Sequence, residues 1–193
     1  MTRIALFGGS FNPPHVAHQL VALYVLETCE VDELWFVPTY VHPLGKPLAA
    51  YDDRVAMCDL AAAALGSRVR VSRAEEVLAK RPGFVASRTL ELVDLLMEQT
   101  TDTFRLVIGA DILGETAKWY RWDELVKRAR PIVVGRTGYA LGEAMSETGV
   151  VMPEISATRI RELIAAGDPH VAALLPRGVL GYIAEHGIYR QPI

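Results

Sequence analysis

Ile4-Ala5-Leu6-Phe7-Gly8-Gly9-Ser10-Phe11-Asn12-Pro13-Pro14-His15-Val16-Ala17-His18 decides the fold. Its first four residues are apolar and read as a buried strand, which Gly8-Gly9 closes. The glycines permit a tight turn and close backbone approach to a ligand. Pro13 and Pro14 stiffen the connection, and residues 16–28 read as a helix. The chain therefore opens as strand, turn and helix.

The same alternation continues. Leu34-Trp35-Phe36-Val37 reads as a strand stopped by Pro38, and Met57, Leu60, Ala61 and Ala64 fall on one helical face. Val69-Arg70-Val71 is a short strand, and Leu90, Val93 and Met97 mark another helix face. Phe104 to Ile108 is a strand ending at Gly109, residues 123–129 look helical, and Ile132-Val133-Val134 is a strand ending in Gly135. Val150-Val151-Met152 precedes Pro153. Ile160, Leu163 and Ile164 share a helix face that Gly167 stops, and a last helix runs from near Pro176 to near Gly187. Strands alternating with helices predict an α/β fold: a Rossmann-like, mostly parallel sheet, helices on both faces and a helical C-terminal part. No internal repeat is present, and the most linker-like stretch is the loop 138–149.

A length of 193 residues predicts one domain, 1–193. With 51% hydrophobic and 22% charged residues, a disordered chain is excluded. A net charge of -3 gives no hint of the basic face that duplex DNA needs, so no nucleic-acid partner is expected. Cys29 and Cys58 are too few for a disulfide scaffold and lack metal-ligand spacing, which suits a reducing compartment. No apolar run approaches the roughly 20 residues that span a bilayer, and Ile4–Phe7 is too short for a signal-peptide core. The expectation is a cytoplasmic protein with no membrane partner; a homo-oligomer is compatible with it.

In open α/β sheets ligands bind outside the carboxyl ends of the strands. Gly8–His18, Pro38–Lys46, Gly109–Trp119 and Gly135–Gly138 each follow a strand, so they should meet along one edge. His15 and His18 are three apart and share a helix face. Beside a helix N-terminus, which favours anions, two imidazoles could donate to phosphate oxygens. Neither a Walker loop nor a Gly-x-Gly-x-x-Gly string is present. Ile155-Ser156-Ala157-Thr158-Arg159-Ile160-Arg161 offers two hydroxyls at a helix start and an arginine able to fork two phosphate oxygens; taken alone it reads rather as an N-cap and a solvated arginine.

Together the two strings carry a resemblance. The first resembles the phosphate-binding signature of the HxGH nucleotidyltransferases, and the second the Ile-Ser-Ser-Thr-x-x-Arg signature of their adenylyltransferase branch. Gly109-Ala110-Asp111, Trp119-Tyr120, Arg136-Thr137-Gly138-Tyr139 and the ending Leu174-Leu175-Pro176 to Gly187-Ile188-Tyr189-Arg190 are similar in order and spacing to the bacterial nicotinate-nucleotide adenylyltransferase family. The resemblance implies transfer of AMP from ATP to a pyridine mononucleotide, releasing pyrophosphate, by direct attack of the mononucleotide phosphate on the α-phosphorus. It implies that His15, His18, Lys46 and Arg161 neutralise phosphates, with Ser156 and Thr158 gripping the outer ones. Gly8, Gly9, Ser10 and Phe11 would line the nucleotide junction, Gly109, Asp111 and Arg136 would serve ATP, with Asp111 taking ribose hydroxyls, and Trp119 and Tyr120 would serve the pyridine ring. Mg²⁺ would ride on the triphosphate without a dedicated protein cage.

The chain departs from the family pattern in places. Ala157 replaces a serine. Gly83-Phe84-Val85-Ala86-Ser87-Arg88-Thr89-Leu90 puts Ala86 where the family has a threonine that helps recognise the nicotinate carboxylate; Ser87 or Arg88 could substitute. Nicotinate and nicotinamide mononucleotide both stay open as acceptors. Arg54 matches an Arg-x-x-Met landmark or pairs with carboxylates. His42, His170 and His186 read as loop or cap histidines, Trp35 and Phe36 as core, Trp122 as packing beside Trp119, Cys29 and Cys58 as buried, and Arg68, Arg70 and Arg73 as a solvated face. Competing readings are a phosphopantetheine adenylyltransferase or cytidylyltransferase, a non-catalytic nucleotide sensor on the same fold, and a metal protein using His15, His18 and His42, which lacks carboxylate or cysteine partners.

Overall fold

The computed structural model describes residues 1–42, 45–136 and 150–190; the side chain of Arg136 lies outside this set, as do Thr137, Gly138, Tyr139 and the expected loop 138–149. The elements alternate as expected: β1 (Arg3–Gly9), α1 (Val16–Thr28), β2 (Glu33–Pro38), α2 (Tyr51–Ala63), β3 (Val69–Val71), α3 (Ala74–Ala79), α4 (Thr89–Gln99), β4 (Thr103–Gly109), α5 (Trp122–Arg128), β5 (Pro131–Arg136), β6 (Val151–Met152), α6 (Ala157–Ala165) and α7 (Arg177–His186). Two 3₁₀ helices, Ala110–Lys118 and Pro169–Ala173, and the short α3 were not expected.

The described strands form one parallel sheet in the order β3-β2-β1-β4-β5-β6. The chain winds outward from β1 on one side and from β4 on the other, so the reversal lies between them, where a ligand crevice is expected. Both sheet faces are covered. Ala5, Leu34, Phe36, Val107, Ile132 and Val134 pack toward residues of α1, α2, α6 and α7. Ile4, Leu6, Val37, Leu106, Ile108 and Val133 pack toward α3, α4 and α5. Alternate residues of one strand thus serve opposite cores, which is why the strands read as continuous apolar runs rather than alternating ones.

Two expectations about helix faces and one about a strand end are corrected. In α2, Leu60 is exposed, as is Ala64 just after the helix; the inward residues are Arg54, Val55, Met57, Cys58, Ala61 and Ala62. In α4, Met97 is exposed and Leu92, Leu95 and Leu96 are buried beside Leu90 and Val93. Gly8-Gly9 does not close β1 but continues it, pairing with Val37 and Pro38. Cys58 is buried, whereas Cys29 is half-exposed.

Candidate active site

A cleft of 720 Å³ opens at the carboxyl ends of the strands. Described residues of all four segments line it: Gly8, Gly9, Ser10, His15 and His18 from the first, Thr39, His42 and Lys46 from the second, Gly109, Asp111 and Trp119 from the third, and Gly135 from the fourth, whose Thr137 and Gly138 lie outside the described residues. Ser87, Arg88 and Tyr120 also line it.

The histidine pair is built by the helix start. His15 is the extended N-cap of α1, with φ -139° and ψ 173°. Its backbone N–H donates to His18 Nδ1 at 3.0 Å. That acceptor role leaves the imidazole proton of His18 on Nε2, as a donor suited to a phosphate oxygen. The two rings lie 3.8 Å apart, and Phe11 packs 4.9 Å from the His18 ring. Phe11 itself is buried, 5.3 Å from Phe36, so only its backbone is available to a ligand. Its φ of 44° is costly for a non-glycine residue. Gly9 accommodates that turn, since a Cβ there would press to 3.3 Å from the Phe11 ring. At Gly8 a Cβ would meet nothing within 4 Å and would instead project into open space beside the loop.

The loop is held from behind by residues that the sequence reading missed or assigned differently. Among the described residues Arg54 pairs with backbone carbonyls rather than with a carboxylate. It is 1% exposed, donating from Nη1 to Ser10 O at 2.9 Å and from Nε to Ala49 O at 3.0 Å. Burial lowers its pKa. Asn12 Oδ1 accepts from Ala49 N at 3.0 Å and from the buried Tyr189 hydroxyl at 2.7 Å. Arg161, expected to fork two phosphate oxygens, donates to Asn12 O at 2.9 Å and to Thr158 Oγ1 at 3.2 Å. Ser156 is spent as the N-cap of α6, accepting from Arg159 N at 3.3 Å. Ser156 and Thr158 are exposed, and the cleft is reached from this side by Met152, Pro153 and Ile155. The late signature therefore braces the loop after β1 through Asn12.

Gly109 and Asp111 form one unit. A Cβ at Gly109 would overlap the Asp111 carboxylate, so glycine leaves the volume that the carboxylate fills. At the other end of the cleft, Trp119 packs edge-on against Trp122 at 5.6 Å, as expected. Arg121, in the left-handed region with φ 51°, turns the chain just after Tyr120.

The segment 83–90 differs most from expectation. Ser87 donates its hydroxyl to Glu75, which is 6% exposed and also accepts from the Tyr40 backbone. Burial raises the Glu75 pKa, against the lowering effect of the Ser87 hydrogen bond. Ser87 N also donates to Val41 O at 3.4 Å. Ser87 thus reaches the cleft wall with its hydroxyl committed. His42, read as a loop histidine, lines the cleft beside Lys46; burial, then Lys46 and Arg54, lowers its pKa. His170 and His186 are the expected cap histidines: His170 bonds Asp168, and His186 stacks on Tyr182 at 3.9 Å. Arg68, Arg70 and Arg73 pair with carboxylates on the exposed surface, Arg68 with Glu27, Arg70 with Glu33 and Arg73 with Asp52 and Glu76.

The cytidylyltransferase-like family model matches residues 6–163. A protein of Anaeromyxobacter sp. (strain K), named a probable nicotinate-nucleotide adenylyltransferase, is 48% identical over 97% of this chain and 96% of its own. One of the same name from Myxococcus xanthus is 37% identical over 97% of this chain and 94% of its own. The chain belongs to the nicotinate-nucleotide adenylyltransferase family. The nicotinic acid mononucleotide adenylyltransferase of Plasmodium falciparum, solved with NaAD, superposes with a TM-score of 0.80 at 17% identity, over 98% of each chain, which shows the shared fold. No described helix is long and apolar enough to cross a membrane.

Proposed function

We propose that this cleft transfers AMP from ATP to nicotinate mononucleotide, giving nicotinate adenine dinucleotide and pyrophosphate for NAD biosynthesis. The observation that carries the reading is the phosphate loop. Gly8–Ser10, the helix N-terminus and the His15–His18 pair converge on the same cleft as the aromatic end at Trp119 and Tyr120. Family membership narrows the acceptor to the nicotinate form.

The chemistry asks for positioning and charge stabilisation rather than a protein nucleophile. An oxygen of the mononucleotide phosphate attacks the α-phosphorus of ATP. As that bond forms, the bond from the α-phosphorus to the bridging oxygen breaks, and its electron pair leaves with pyrophosphate. His18 Nε2–H, His15 and Lys46 stabilise the charge that develops on the phosphates. Asp111 accepts from ribose hydroxyls, and Trp119 stacks on the pyridine ring. Arg161, Thr158 and Ser156 act by holding the loop and the start of α6. Arg136 stands at the end of β5, where an ATP contact is part of the proposal. Mg²⁺ would neutralise the triphosphate, carried by the nucleotide itself. ATP and the mononucleotide are the proposed partners, and the cytoplasm the proposed compartment.

The test is pyrophosphate release with ATP and Mg²⁺, offering nicotinate mononucleotide, nicotinamide mononucleotide and phosphopantetheine in parallel. The expected result is turnover of the nicotinate form, with product confirmed by mass. Turnover of phosphopantetheine alone, or ATP binding without any turnover, would contradict the proposal.

A further inference from the structure

The acceptor end of the cleft carries a cation whose position suits a carboxylate on a stacked aromatic ring. Arg88 precedes α4 and lines the cleft together with Trp119 and Tyr120. Its guanidinium carbon sits 4.5 Å from the centre of the Tyr120 ring. That contact holds the cation over an aromatic face. Among the described residues only Nη1 is hydrogen-bonded, to Glu91 Oε1 at 3.0 Å; Nε and Nη2 are not. The side chain is 45% exposed, so it is reachable from the cleft.

The neighbouring groups are less well placed. The Ser87 hydroxyl is committed to Glu75, and Ala86 has no polar atom. Arg121 is 6.0 Å from the same ring, with Nε and Nη2 both on Glu124. Lys118 faces Glu115 at 3.9 Å. Glu75, the buried carboxylate of this wall, is covered by donors from Ser87 and Tyr40.

We propose that Arg88 is the specificity residue of this chain, pairing through its guanidinium with the carboxylate of the pyridine ring and so favouring nicotinate over nicotinamide mononucleotide. This rests on the adenylyl-transfer reading above and names the group that selects its acceptor. The carboxamide offers no anion, so the pair forms with one substrate only, and a difference of that kind appears as a ratio of kcat/KM values.

The experiment measures kcat/KM for both mononucleotides in the wild type, Arg88→Gln and Arg88→Lys, with thermal unfolding of each. The wild type should prefer the nicotinate form. Loss of a charge-assisted hydrogen-bonded pair should lower the Arg88→Gln value for the nicotinate form by about 10- to 100-fold, leaving the nicotinamide form within about threefold. Arg88→Lys should fall between them, because it keeps the charge and loses the fork. Melting should move little, since the Arg88–Glu91 pair is exposed. A parallel fall on both substrates would make Arg88 a structural residue and overturn the proposal, as would an unchanged preference. A wild type inactive on both substrates would instead overturn the adenylyl-transfer reading on which it rests.

Discussion

Gly109→Ala separates catalysis from stability in this fold. Gly109 has φ -76° and ψ 152°, which alanine adopts freely. Such a replacement in a compatible conformation stabilises by about 0.4–1 kcal/mol through the unfolded chain. Among the described residues the only close neighbour of the new Cβ beyond the adjoining residues is the Asp111 carboxylate. That is the end of a short side chain, so it can swing away at about 0.5–1.5 kcal/mol of rotamer strain. The two effects roughly cancel, and stability should stay within about 1 kcal/mol, or about 4 °C in Tm for a chain of this size. Function should not be spared. If Asp111 accepts from the ATP ribose, moving it forfeits hydrogen bonds to a charged group worth about 1.5–3 kcal/mol. At 1.4 kcal/mol per decade, KM for ATP should rise by about 10- to 150-fold. The assay pairs thermal unfolding with steady-state kinetics, repeated in an Asp111→Ala background, where Gly109→Ala should add less than about threefold because the two residues act as one unit. An unchanged KM for ATP, or full additivity with Asp111→Ala, would refute the reasoning.

Arg54→Met should lower stability by about 2–4 kcal/mol, because two carbonyls lose a charged donor while a buried charge is also removed; denaturant unfolding gives the value, and a loss below 0.5 kcal/mol would mean that Arg54 does not hold the Ser10 loop. Glu75→Gln should gain on the wild type as pH rises. The buried acid has a raised pKa, so its contribution to stability is intact below the ordinary 4.5 and is lost as pH climbs through the folded value; unfolding midpoints compared from pH 4 upward should diverge in that direction, and a constant difference would contradict the burial argument. His18→Ala should reduce kcat by about 10²-fold or more, as expected for a lost phosphate-facing donor, and lower melting by a few degrees because the His15 N–H loses its acceptor; a fall in Tm without a fall in kcat would assign His18 to the helix start alone.

Much of this architecture was readable from the chain because parallel strands covered on both faces must be apolar throughout. Ile4–Phe7, Leu34–Val37 and Phe104–Ile108 announce themselves without periodicity. Their ends are marked by glycine or proline, and the cleft follows from where strands end. Helix faces were less legible. Leu60 and Met97 fit an apolar stripe and are exposed, whereas Arg54 is buried because two distant carbonyls receive it. No local pattern signals that exchange. The Tyr189–Asn12 bond joins residues 177 apart, so the C-terminal ending could be seen as a landmark but not as a brace. Glu75 sits in a six-residue helix too short to show a period. The 83–90 string names Ser87 and Arg88 as candidates, yet only side-chain direction separates the hydroxyl turned to Glu75 from the guanidinium laid on Tyr120.

The central claim is that an oxygen of the mononucleotide phosphate attacks the α-phosphorus of ATP and becomes the bridge of the dinucleotide. Nicotinate mononucleotide carrying ¹⁸O at all its non-bridging phosphate oxygens tests it in one turnover experiment read by mass. The account predicts a dinucleotide that retains every labelled oxygen and pyrophosphate that carries none. Label in pyrophosphate, or no dinucleotide formed from folded protein that binds ATP, would contradict it.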